Sequence, residues 1–280
     1  MQMTDTNPQA AFWNSDAGHA WVENQAMLDH MFQPFEALLA DAVRPGEQVL
    51  DVGCGTGATT LAAARRAGAT GHATGIDISA PMIATARIRA AQAALPASFV
   101  CADAQHHPFD AAAFDAIVSR FGVMFFADPV TAFANLRRAT RAGGRLHLYA
   151  WRSADDNPFM TAAERAAAPL VALPPRLPGQ PGQFAFADAA FVRATLQAAG
   201  WHDIGIDAVD VPCAFPAAGL DAYAGRMGPL GRVLPTLDAA RRQAVLAEVR
   251  RAFDLFVQGE TVRYTAACWR ITALANVIRG

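Results

Sequence analysis

A short apolar run opens into a glycine-studded loop at residues 49–57, V-L-D-V-G-C-G-T-G, and an Ala-rich stretch follows at once through Arg66. No other feature narrows the fold so far. A strand, a loop carrying Gly53, Gly55 and Gly57, and then a helix N-terminus let a ligand approach the backbone, because no Cβ stands in the way. The helix N-terminus favours negative charge there. The same alternation continues downstream. Strands are predicted at 49–52, 74–78, 98–101, 114–119 and 145–151, with helices near 59–66, 79–94 and 130–140 between them. Ser79 is the expected N-cap of the second helix, and Gly143-Gly144 the expected stop of the third. Alternating strands and helices imply a parallel sheet with helices on both faces.

The flanks obey a different rhythm. In residues 1–44, Trp21, Met27, Leu28, Met31, Phe32, Phe35, Leu38 and Leu39 recur at helical spacing, and Arg44-Pro45-Gly46 ends the run. Residues 152–187 carry prolines 158, 169, 174, 175, 178 and 181, with a loose Pro/Gly segment at 173–183. A helix at 188–199, a strand at 204–211, a helical stretch at 217–258 and a strand at 261–275 complete the chain. The expectation is one domain over 1–280. Helices at 1–44 would lie over a binding core at 45–151. The excursions at 152–187 and 217–258 would form a helical lid, or else a dimer face, and 188–216 with 259–280 would finish the sheet.

Composition removes several classes. The chain has 280 residues and a net charge of -2, which gives no prior for nucleic acid or an anionic membrane. All 23 basic residues are Arg. Schiff-base, Walker-lysine and protein-kinase chemistry all need a lysine and are excluded. Cys54, Cys101, Cys213 and Cys268 form no C-x-x-C pair, so neither a zinc site nor a disulfide framework is legible. The start, M-Q-M-T-D-T-N-P, lacks the basic and apolar regions of a signal peptide. No apolar run reaches the ~18 residues of a spanning helix. These features predict a reduced, cytoplasmic protein.

Three acids fall at the ends of successive predicted strands: Asp51, Asp77 and Asp103. Ligands of open α/β sheets bind at that edge. Asp51, two residues before the first glycine, would repel a pyrophosphate and attract a cationic group. Asp77 suits the two hydroxyls of a ribose. Asp103 can accept from an adenine amine. Gly53, Gly55 and Ala58 also satisfy G-x-G-x-x-A, so an NAD(P) site stays open on the residues alone.

V-L-D-V-G-C-G-T-G, G-I-D-I-S-A-P-M, C-A-D-A, F-D-A-I-V-S-R-F-G-V-M-F-F and L-R-R-A-T-R-A-G-G-R-L together resemble the class I S-adenosylmethionine-dependent methyltransferases. The similarity is to the small-molecule branch that includes the ubiquinone/menaquinone C-methyltransferases, and is close over 45–151. It implies a doubly wound α/β sheet of seven strands, order 3-2-1-4-5-7-6, with the last strand antiparallel. It implies S-adenosyl-L-methionine as cofactor and S-adenosyl-L-homocysteine as product. By position, Asp51, Gly53 and Gly55 would lie by the methionine part, and Cys54 and Gly57 of the same loop are also expected to bind the cofactor. Asp77 would hold the ribose, Ile78 and Met82 the adenine face, and Asp103 and Ala104 the adenine edge. Ser119 and Phe121 would lie beside the methyl group, with Trp13 and Trp21 folded over the cofactor.

Other residues read more plainly. Cys54 looks like a small packed residue, His106-His107 like a solvated loop, and Val211-Pro212-Cys213 like a chance match to a cytosine methyltransferase motif. The fourth strand ends in S-R-F-G, without the Pro-Pro-aromatic clamp used on nucleobase amines. His19, His30 and Tyr149 are the candidates for a base, should one be needed. Phe121, Met124 and Phe125 are the candidate apolar wall of a substrate pocket. The expected activity is methylation of a small or medium lipophilic molecule on O, N, S or C, by a monomer or homodimer without nucleic acid, membrane or metal. The alternatives are an NAD(P)-dependent reductase, a non-methyl use of the same cofactor, or a non-catalytic binding protein.

Overall fold

The computed structural model describes residues 7–177 and 179–275. The start of the leader reading (residues 1–6), Pro178 and the last five residues of the expected final segment (276–280) lie outside them.

Three helices come first: α1 (Pro8–Trp13), α2 (Asp16–Glu23) and α3 (Gln25–Ala40). The core alternates β1 (Gln48–Val52), α4 (Ala58–Ala67), β2 (His72–Asp77), α5 (Ala80–Ala93), β3 (Ala97–Cys101), β4 (Phe114–Arg120), α6 (Pro129–Ala139) and β5 (Thr140–Trp151). Then come α7 (Pro158–Ala167), α8 (Ala189–Ala198), β6 (His202–Pro216), α9 (Leu220–Arg226), α10 (Gly228–Val233), α11 (Ala239–Phe253), β7 (Val257–Gln258) and β8 (Thr261–Leu274).

The sheet runs β3-β2-β1-β4-β5-β8-β6. Strands β1 to β5 pair in parallel, while β8 is antiparallel to both neighbours. The expected order therefore stands, with one addition: the two-residue β7 pairs with β8 off the main path. Successive residues of a strand point to opposite faces. Val49 and Leu50 are both wholly buried, so both faces of β1 are covered.

Two boundaries and one cap differ from expectation. Helix α6 ends at Ala139, and β5 begins at Thr140 rather than after Gly143-Gly144. The two glycines are absorbed into the strand, where a Cβ on Gly144 would come within 2.5 Å of Thr140 Cγ2. Strand β6 runs on to Pro216, through Pro212. It is an edge strand, and an edge strand tolerates proline because the missing N–H faces no partner. Ser79 precedes α5 but makes no side-chain cap; its hydroxyl is used elsewhere.

The two helical excursions meet around one aromatic ring. Phe159 of α7 stacks on Tyr264 of β8 at 4.1 Å and on Tyr223 of α9 at 5.2 Å, and meets Phe253 of α11 edge-on at 5.2 Å. Each such pair contributes about 0.5–1.5 kcal/mol beyond area burial. Helices α7, α9 and α11 are thus one cap, anchored to the sheet through Tyr264.

Candidate cofactor and substrate cleft

The loop after β1 is left-handed at Gly53 (φ +67°), Gly55 (+54°) and Gly57 (+89°). The N–H groups of Gly53 and Cys54 both donate to the Ile76 carbonyl, at 2.8 and 3.1 Å, tying the loop to β2. Gly53 also lies against the turn after β4: a Cβ there would meet Gly122 Cα at 2.5 Å. Ser119 holds the same junction, donating its hydroxyl to the Val52 carbonyl at 2.6 Å and accepting from Gly122 N–H at 3.3 Å.

Asp77 closes the loop from the other side. One carboxylate oxygen accepts from Gly55 N–H and the other from Ser79 N–H, each at 2.8 Å. Burial pushes its carboxyl up to about 6, against the pull of those two N–H groups. Beyond it, the Ser79 hydroxyl donates to the Trp13 carbonyl at 2.7 Å. Asn14 donates to the Ile78 carbonyl at 3.0 Å and accepts from Ala80 N–H at 2.8 Å. The first helices are thereby fastened across the end of β2. Trp13 stands edge-on to Trp21 at 6.1 Å and to Phe125 at 5.1 Å.

Asp103 accepts from Gln105 N–H at 2.9 Å and from the Asn7 amide at 3.0 Å, and faces His106 at 3.0 Å. His106 is thereby tied to the Asp103 loop. Phe121 has φ +63°, a strained value for a side-chain-bearing residue. It is held there by stacking on Trp151 at 4.2 Å and by edge contacts with Phe32 and Phe35 at 5.5 and 4.9 Å.

These groups line one cleft of about 2010 Å³. Trp13, Trp21, Gly53, Cys54, Gly55, Asp77, Ile78, Met82, Asp103, Ala104 and Phe121 all face it, as do Met124 and Phe125. The opposite wall comes from the cap, with Met160, Phe184, Tyr223, Met227 and Leu230. Burial raises the Cys54 thiol well above its ordinary value, so it stays protonated and is no nucleophile.

Five expected site residues do not face the cleft. Asp51 is wholly buried behind the loop, where its Oδ2 accepts from the Thr59 and Thr60 hydroxyls at 2.5 and 2.7 Å. Gly57 turns toward Phe99 and Ala86, the tight neighbours of any Cβ there. Ser119 is consumed by the junction described above. His30 is engaged with the Ala26 carbonyl of its own helix at 2.8 Å. Tyr149 is buried in β5, its hydroxyl 3.4 Å from His147. Of the three candidate bases, only His19 lines the cleft.

The sequence reading missed Arg120, which also lines the cleft. Its Nη1 is buried without a hydrogen-bond partner, and so is Asp51 Oδ1. A buried charged atom left without a partner is costly, and of the two only Arg120 faces the cleft, where a ligand could reach it. A ribosyl sulfonium amino acid fits what is present: the Asp77 carboxylate for hydroxyls, loop backbone facing the cleft, and an unpaired guanidinium nitrogen on Arg120.

A methyltransferase domain family matches residues 49–144. The chain is 38% identical over 145 residues to the aklanonic acid methyltransferase DauC of Streptomyces sp. (strain C5), covering 49% of this chain and 66% of that one. It is 38% identical over 105 residues to the ubiquinone/menaquinone biosynthesis C-methyltransferase UbiE of Ralstonia pickettii (strain 12J), covering 38% and 43%. With these two, the match spans less than two thirds of the relative's length. The nocamycin O-methyltransferase of Saccharothrix syringae is 32% identical over 248 residues, covering 84% of this chain and 88% of that protein. The crystal structure of the YcgJ protein of Bacillus subtilis superposes with a TM-score of 0.58 at 18% identity, covering 86% and 97%. The glycine loop, the sheet order and the near full-length match together place the chain in the class I S-adenosylmethionine-dependent methyltransferases of small-molecule type.

Proposed function

We propose that this chain methylates a hydroxyl group of a medium-sized lipophilic molecule. The observation that carries this is the cleft itself. At about 2010 Å³ it exceeds the ~300–1,000 Å³ of an ordinary ligand pocket, so a cofactor and an acceptor have room side by side. The half under Trp13, Asp77 and the loop suits the cofactor. The half between Phe121, Met124, Phe125 and the cap is apolar and suits the acceptor. When bound, S-adenosylmethionine supplies a methyl group already activated for displacement. The chain's own work is then to align the acceptor and to exclude water, through the aromatic floor and the helical cap. An oxygen acceptor is supported by the nocamycin O-methyltransferase, a relative whose match spans most of both chains.

A hydroxyl must lose its proton as it takes the methyl group. His19 of α2 is the histidine among the described lining residues, and it would accept that proton. His19→Gln is expected to lower kcat by about 10²–10⁴-fold on an un-ionised hydroxyl acceptor. The loss should shrink for a phenol already ionised at the assay pH, and S-adenosylhomocysteine affinity should not change. Labelled-methyl transfer to a panel of phenols, polyketide alcohols and amines measures both. Transfer only to amines, or full activity of His19→Gln on an aliphatic alcohol, would contradict the reading.

A further inference from the structure

The cap wall of the acceptor half is mostly apolar, and one polar group in it has a poor partner. Tyr223 of α9 is half-buried, and among the described residues its hydroxyl donates to the Met160 sulfur alone, at 3.4 Å. A thioether is a weak acceptor. The two ends of Tyr223 have different surroundings. The ring packs on Phe159 at 5.2 Å, Phe253 at 5.9 Å and Phe215 at 6.0 Å, and these three do not line the cleft. The groups that face the hydroxyl do line it: Met160, Glu164 and Arg176. The polar end of Tyr223 is therefore the end turned to the cleft. Burial, and after it the Glu164 carboxylate, push the phenol above its ordinary value, so the hydrogen stays on. Glu164 does not claim that hydrogen. Its two oxygens accept from Arg176 at 2.5 and 3.1 Å, and Arg176 in turn lies over the Phe184 ring at 4.6 Å.

An O–H resting on a thioether in an apolar wall lacks an oxygen to accept it. A ligand hydroxyl placed there would bring a second hydrogen that needs its own acceptor. A carbonyl brings none. Building on the hydroxyl methylation read above, we infer that Tyr223 sets specificity by donating its O–H to a carbonyl oxygen of the acceptor molecule. The substrate class is a lipophilic molecule with two oxygens in different roles. One is the hydroxyl that takes the methyl group. The other is a ketone, quinone or ester carbonyl held by Tyr223. The rings packed around Tyr223 fix where that carbonyl sits, and the unbranched Met160 side chain turns aside to admit it. A site that hydrogen-bonds one group of a substrate discriminates against the analogue lacking it.

The test is steady-state labelled-methyl transfer by the full chain to matched naphthols that bear either an acetyl or an ethyl group at the same ring position, with that position varied. Each pair differs in the carbonyl oxygen. Comparing its acetyl-to-ethyl ratio of kcat/KM between variants cancels the difference in acidity. Tyr223→Phe is expected to lower that ratio by about 3- to 10-fold for at least one ring position, through KM rather than kcat. Met160→Leu, which nearly conserves volume, should keep the ratio or raise it, because nothing then competes with the carbonyl for the hydrogen. A Tyr223–Met160 contact that served only to pack the cap would give both variants the same result, so equal losses in the two would overturn the proposal. Ratios unchanged by Tyr223→Phe at every ring position would overturn it as well, while the transfer itself upheld the hydroxyl reading. Weaker S-adenosylhomocysteine binding by Tyr223→Phe, read by calorimetry, would assign the hydroxyl to the cofactor instead. A wild-type chain that methylated none of the naphthols would bring down the hydroxyl reading itself, and this proposal with it.

Discussion

Gly53→Ala is expected to lower apo stability by about 2–5 kcal/mol and to abolish cofactor binding. Two costs add. A side-chain-bearing residue at φ +67° pays about 1–2 kcal/mol for the left-handed backbone. The new Cβ would also stand 2.5 Å from Gly122 Cα, a backbone atom that cannot rotate away. Forced overpacking of this kind costs about 1–3 kcal/mol. The loop must part from the turn after β4, which also frees Ser119 from Val52 and disturbs Phe121. In a chain of this size the melting temperature should fall by about 5–15 °C. Gly259→Ala is the control: its φ is +61°, but nothing lies within 4 Å of a Cβ there. It should show the backbone cost alone and retain S-adenosylhomocysteine binding. Thermal unfolding and calorimetry on both variants measure this. Equal losses in the two would mean that the Gly53–Gly122 approach is unimportant.

Asp77→Ala is expected to weaken S-adenosylhomocysteine by about 30- to 1,000-fold, from two lost charge-assisted hydrogen bonds to ribose and the release of Gly55 N–H. The pH dependence carries a sign. The Asp77 carboxyl titrates near 6 in the folded chain, above its ordinary 3.8. The folded state therefore holds this proton more tightly than the unfolded one. The stability it contributes is full below about 4 and is lost as pH rises through about 6. Ligand binding has the opposite requirement, because hydroxyl donors need the ionised carboxylate. Wild-type affinity should thus be level above pH 7 and fall up to tenfold per pH unit below about 6, with a proton released on binding. Asp77→Ala should remove this dependence. A wild-type profile flat from pH 7.5 to 5 would show that Asp77 does not receive the ribose.

The core from β1 to β5 was legible because its strands are short apolar runs and its helices alternate with them. Errors arose where tertiary context overruled a local signal. Gly143-Gly144 reads as a helix stop, but Thr140 already pairs with Phe114 of β4, so β5 begins before both glycines. Pro212 lies just beyond the strand read at 204–211, yet β6 is an edge strand and runs through it to Pro216. Asp51 shows a similar limit. Its place at the strand end was readable, but the alternation of a strand buried on both faces turns its side chain to the α4 side, onto Thr59 and Thr60. Arg120 was invisible for a related reason. An arginine closing a strand usually reaches solvent, and only the fold shows Phe32 beneath it and its Nη1 buried in the cleft wall. His19, His30 and Tyr149 were equal on sequence; the cleft separates them by geometry.

The left-handed glycine loop and Asp77 fit a sulfonium amino-acid nucleoside rather than a dinucleotide. Isothermal titration of the purified chain with S-adenosylhomocysteine and, separately, NADPH tests this most directly. The expected result is saturable one-to-one binding of S-adenosylhomocysteine and no heat from NADPH. Binding of NADPH with none of S-adenosylhomocysteine would contradict the account.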